Sequence, residues 1–134
     1  MTEPKTLQLP STHLALRSIG PWIDELLAPL EQGTASAVRG KIELAVHELA
    51  NNSVDHAKSK SLELRGHIER NELVVSMVDF GLPFDGTQVS VPTEPQERGY
   101  GLMIIEQVTT AIDYSRNGDR NHWTLRFSLD SPNS

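Results

Sequence analysis

The chain has no cysteine, which excludes disulfides, zinc-thiolate sites and cysteine nucleophiles. It also lacks an apolar run approaching the length of a membrane span. The opening residues, Met1-Thr-Glu-Pro-Lys-Thr6, are polar and hold no apolar signal region. The expectation is a cytoplasmic protein without membrane contact. Basic charge is scarce too. The formal net charge is -6, and no stretch interleaves Lys or Arg with aromatics, so direct nucleic-acid binding is not expected. An acidic surface serves solubility, and it would also suit a protein partner with a basic face. Internal repeats and low-complexity segments are absent.

What is present is enough for one domain, residues 1–134, with a core of its own. Lys5 to Leu9 reads as a short strand ended by Pro10. Ser11-Thr12 caps a helix carrying Leu14, Leu16 and Ile19, which Gly20-Pro21 should break or kink. A second helix then carries Trp22, Ile23, Leu26 and Leu27, with Pro21 in its first turn. From Ser36 to Ala57 apolar residues at Val38, Ile42, Ala45, Val46, Leu49 and Val54 keep helical spacing. The period then becomes two: Leu62, Leu64 and Ile68, a turn at Asn71-Glu72, then Leu73, Val75 and Met77 running into Asp79. Residues 81–96 hold three prolines and little periodicity, as a functional loop would. Leu102 to Ala111 reads as a helix. Ile112–Tyr114 and Trp123–Leu129, with Asn117-Gly118 between them, make a closing hairpin. This order predicts an α+β fold, a two-layer sandwich with helices on one face of a mixed, mainly antiparallel sheet.

Three segments carry candidate chemistry. In Glu48-Leu-Ala-Asn-Asn52, Glu48 and Asn52 lie one helical turn apart, with His56 four residues further on the same face. Asn52 offers an amide oxygen suited to Mg2+, and Glu48 could orient or deprotonate an attacking group. Alone, the row reads first as a solvated helix face ending in a histidine, since such spacings are common. Asp79-Phe-Gly81 puts a carboxylate at a strand end, able to accept from an exocyclic amine, beside a glycine that a flat ring could approach. Alone, it reads as a turn acid. In Arg98-Gly-Tyr-Gly101-Leu102, glycines frame a helix start, where free N–H groups and a partial positive charge favour phosphate. Alone, it reads as a loop ending.

The histidines (His13, His47, His56, His67 and His122) show no tight metal-ligand spacing. Tyr114, Trp123 and Phe127 read as core aromatics. Thr124 reads as a strand threonine, of further interest only if its strand borders a purine.

Taken together and in order, the segments resemble the GHKL ATPases, the superfamily of gyrase, histidine kinases and MutL. Glu48-Leu-Ala-Asn-Asn52-Ser-Val-Asp-His56-Ala57 resembles the N-box. Asp79-Phe-Gly81-Leu-Pro-Phe-Asp85 resembles the first glycine box, and Arg98-Gly-Tyr-Gly101-Leu-Met-Ile-Ile105 the second. The likeness is greatest to bacterial anti-sigma factors that are serine kinases, whose N-box runs Glu-x-x-x-Asn-x-x-x-His.

The resemblance implies ATP and Mg2+ as cofactors. It implies Glu48 as the residue polarising the attacking group and Asn52 as the Mg2+ ligand. Asp79 would read the adenine, Gly81 would admit the ring, and Thr124 would support that contact. Arg98, Gly99, Gly101 and Leu102 would line the phosphate side, with Leu82 to Glu97 as the lid. The implied partners are a sigma factor and an anti-anti-sigma (STAS-type) protein phosphorylated on serine, and a homodimer is compatible with this. The alternative is a non-catalytic, nucleotide-gated module that sequesters a partner. A histidine kinase would need a separate phosphoacceptor segment. Where many relatives carry a Met-Asp-Glu run, this chain has Thr110-Ala-Ile-Asp113-Tyr, so the resemblance does not identify the sigma factor.

Overall fold

The computed structural model describes residues 2–84 and 101–130. Among them, five strands form one antiparallel sheet in the order β1-β2-β3-β5-β4. The strands are β1 (Lys5–Pro10), β2 (Ser61–Glu69), β3 (Glu72–Asp79), β4 (Ala111–Asn117) and β5 (Arg120–Ser128). Every pairing is antiparallel, so the parallel component of a mixed sheet is absent from the described residues. Helices α1 (Ile19–Leu27), α2 (Gln32–Asn52) and α3 (Gly101–Val108) complete the α+β arrangement.

Alternation along the strands decides which side is covered. Leu62 and Leu64 of β2, Leu73, Val75 and Met77 of β3, and Leu125 and Phe127 of β5 are buried on one face. They form one core with Ile23 and Leu26 of α1, Ile42, Val46 and Leu49 of α2, and Ile105 of α3. Gly66 lets α1 lie close on β2, since a Cβ there would stand 2.7 Å from Leu26 Cδ1. No helix among the described residues is long and apolar enough to cross a membrane.

Element edges depart from the sequence pattern for local reasons. The expected first helix is a short 3-10 turn, Ala15–Ser18, and Leu14 is exposed. Gly20-Pro21 does not break a helix but lies in the first turn of α1. There, proline's missing N–H has no intrahelical partner to lose. Helix α2 begins at Gln32, four residues before the expected Ser36, with the Ala35 N–H bonded to the Glu31 carbonyl at 2.9 Å. Its last turn widens to a π-turn, Ser53–Ala57, closed by Lys58 in the left-handed region at φ 57°. The β2–β3 turn falls on Arg70-Asn71, both at positive φ, one residue earlier than Asn71-Glu72. Helix α3 stops at Val108, and Ala111 already belongs to β4.

Candidate functional site

The C-terminal turn of α2 lies over the end of β3, and a narrow cleft opens between them. Among the described residues its free volume is about 20 Å3, room for about one water molecule. Asn52, Ser53 and His56 line it from the helix, Asp79 and Asn121 from the sheet, and Phe84 from the segment after β3.

Asp79 is the last residue of β3 and shares the parity of Leu73, Val75 and Met77. That parity turns its carboxylate inward, and the residue is only 1% exposed. Burial of a carboxylate demands hydrogen bonds. Oδ1 accepts from the Gly81 N–H at 3.1 Å and from Asn121 Nδ2 at 2.7 Å. Among the described residues both donors address Oδ1, and Oδ2 accepts from neither.

Gly81 also meets a steric demand from the end of α2. A Cβ there would lie 2.2 Å from the Ala57 carbonyl oxygen, so the glycine box is pressed against the end of the π-turn. The Leu82 N–H donates to that same carbonyl at 2.7 Å. Nearby, Ser59 Oγ accepts from the Phe80 N–H at 3.0 Å and donates to the Ser61 carbonyl at 2.6 Å. The N-box and the first glycine box are thus clasped together by backbone and one serine.

An aromatic wall closes the far side of the cleft. Phe84 meets Tyr114 and Trp123 edge-on, with centroids 5.4 and 5.1 Å apart. Behind the α2 turn, the His13 ring spans Asn51 Oδ1 at 3.2 Å and Asp55 Oδ1 at 3.0 Å, bracing the helix where Asn52 projects.

The structure brings Asn52, His56 and Asp79 to one cleft, with Gly81 against its rim. Glu48 is half-buried one turn earlier on α2 and is not among the described lining residues. Thr124 is turned away: it pairs with Ser76 and Asp113 on the face opposite Asn121 and Trp123. Gly101 and Leu102 are the first residues of α3, whereas Arg98, Gly99 and all but residues 82–84 of the expected lid, Leu82 to Glu97, lie outside the described residues.

Two lining residues were not foreseen. Asn121 is 2% exposed, and its signal was parity with Trp123, Leu125 and Phe127. Ser53 is also 2% exposed, and its Oγ has no hydrogen-bond partner among the described residues. A buried hydroxyl with no partner among the described residues, a buried acid and the Asn52 amide together supply groups whose chemistry fits the base of a purine nucleotide and a hard metal ion. Among the described residues no group of three or more His, Asp or Glu could hold a metal.

Comparison with solved structures gives the same architecture. The structure of the RsbU and RsbW domains of Rv1364c from Mycobacterium tuberculosis matches with TM-score 0.67 at 18% identity. That match covers 98% of this chain, which spans about a third (34%) of the Mycobacterium chain. The histidine kinase domain of the blue-light activated kinase from Erythrobacter litoralis EL346 matches with TM-score 0.53 at 18% identity, covering 90% of this chain and 61% of that one. The Acinetobacter baumannii histidine kinase AdeS matches with TM-score 0.54 at 14% identity, covering 97% and 70%. At such identities the likeness is one of fold. No curated protein matches the sequence. The model of the histidine kinase-like ATPase domain matches residues 9–127, nearly the whole chain. The chain belongs to the histidine kinase-like ATPase domain family.

Proposed function

We propose that the protein is an ATP- and Mg2+-dependent anti-sigma regulator that phosphorylates a serine or threonine of an anti-anti-sigma (STAS-type) partner in the cytoplasm. The observation that carries the nucleotide part is the convergence of Asp79, Ser53 and Asn52 on one cleft. The regulatory part draws support from the N-box spacing Glu48, Asn52, His56 and from the fold shared with a chain that contains an RsbW domain.

Each residue then has a physical task. Asp79 accepts a hydrogen bond from the exocyclic amine of adenine. Ser53 gives its orphaned hydroxyl a partner on the ligand side. Asn52 offers its amide oxygen to Mg2+, and Gly101, at the start of α3, is assigned to the phosphates, as are Arg98 and Gly99 by the box resemblance. Glu48 orients the partner's hydroxyl and takes its proton. Bound Mg-ATP supplies the phosphoryl group and the charge that neutralises it. Transfer of that group asks the protein mainly for positioning.

A second reading, a nucleotide-gated module that sequesters its partner without catalysis, is favoured by one observation: Glu48 lies outside the described lining of the cleft. Radiolabel transfer to a co-encoded STAS-type protein separates the two. The kinase reading expects label on the partner, and a fall of about 10²–10⁴-fold for Glu48→Gln with ATP binding retained. Tight Mg-ATP binding with no label on the partner would leave the sequestering module.

A further inference from the structure

The strand β5 brings one side chain into the site that neither the N-box nor the glycine boxes contain. Asn121 stands directly opposite Asp79 in the β3–β5 register. Its Nδ2 donates to Asp79 Oδ1 at 2.7 Å and to the Leu82 carbonyl at 2.7 Å, with the Gly81 carbonyl at 3.5 Å. Its Oδ1 accepts from the Tyr114 hydroxyl at 2.6 Å and from Arg116 Nη1 at 3.1 Å. Acceptors surround one end of the carboxamide and donors the other. A flip would set N–H against N–H and oxygen against oxygen, so the amide has a single orientation.

We propose that Asn121 is a positioning residue for base recognition, holding the Asp79 carboxylate so that Oδ2 is presented to the exocyclic amine of a purine. The proposal rests on the ATP reading given above.

The physical need is specific. The terminal torsion of an aspartate is broad, so a carboxylate does not aim itself. Asp79 gets one donor from the Gly81 N–H, close by on its own chain, and that donor moves with the glycine box. Asn121 adds a donor from a different strand and also anchors the Leu82 carbonyl. Arg116 reinforces the arrangement by donating to the Gly81 carbonyl at 2.7 Å. Tyr114 serves both sides, donating to Asn121 Oδ1 and accepting from the Phe84 N–H at 2.9 Å. Aim of the acid and path of the glycine box are therefore set by one amide.

A purely structural amide and a positioning amide differ in what their loss does to selectivity. The measurement is the ratio of affinities for ATP and for purine riboside 5′-triphosphate, which lacks the 6-amino group, on the wild type, Asn121→Ala and Tyr114→Phe. Thermal unfolding is recorded alongside. The wild type should prefer ATP by about ten-fold or more, the scale of one hydrogen bond to a charged group. Asn121→Ala should cut that preference to about three-fold or less, because an unaimed carboxylate gains little from the amine. Tyr114→Phe keeps the ring packing and removes one of the two donors to Asn121 Oδ1. It should shift the ratio the same way by a smaller factor, and it decides the matter if Asn121→Ala fails to fold. A variant that loses affinity for both nucleotides in step, with the ratio intact, would overturn the positioning role. A wild type that binds both triphosphates equally would instead overturn the assignment of Asp79 as the amine acceptor.

Discussion

Asp79 and Asn121 face each other across two strands, and their chemistry predicts different mutant behaviour. Asp79→Asn retains an oxygen for the Gly81 and Asn121 N–H groups, so the fold should persist. It puts an N–H where the exocyclic amine of ATP must donate, and ATP binding should weaken by about 1–3 kcal/mol by calorimetric titration. Unchanged affinity in the folded variant would remove Asp79 from base recognition. Ser53 predicts an opposite split between stability and binding. Its hydroxyl is buried and has no hydrogen-bond partner among the described residues, so Ser53→Ala should leave thermal stability unchanged or raise it by up to about 1 kcal/mol, while ATP affinity falls several-fold. A loss of stability with full affinity would show that the hydroxyl serves the fold. Asp79 was legible in the sequence because it ends a strand with period two. Asn121 was not, since an asparagine flanked by Arg120 and His122 reads as turn-side polarity until its opposite number on β3 is known.

Among the elements, the contact between the π-turn and the glycine box is the most demanding. Gly81 lies against the Ala57 carbonyl with no room for a methyl group, and backbone on both sides limits relaxation. Gly81→Ala should lower stability by about 1–3 kcal/mol in denaturant titration, on the scale of overpacking a well-packed site. Ser59→Ala should cost about 1–2 kcal/mol, because the Phe80 N–H loses its acceptor. Stability unchanged in both variants would mean that the clasp is dispensable. Helical and alternating periods located α2 and the β2–β3 hairpin well. They could not show that α2 widens into a π-turn, which depends on the Lys58 N–H reaching the Ser53 carbonyl. They did place Pro21 in the first turn of the helix carrying Trp22, Ile23, Leu26 and Leu27, where a proline costs no hydrogen bond.

At the scale of the whole molecule, α1, α2 and α3 cover one face of the sheet, and the site sits where the last turn of α2 overhangs the end of β3. The fold class was legible from the order and periods of the elements, and Asn52 and Asp79 were legible because they lie at element ends that meet at the cleft. Thr124 shows where such reasoning stops: a single step in strand parity puts it on the other face from Asp79. The central claim is that this cleft binds ATP with Mg2+, and calorimetric titration of the full chain with ATP, with and without Mg2+, tests it most directly. The account predicts saturable binding at one site that strengthens with Mg2+. Absence of any saturable binding up to millimolar ATP under both conditions would contradict it.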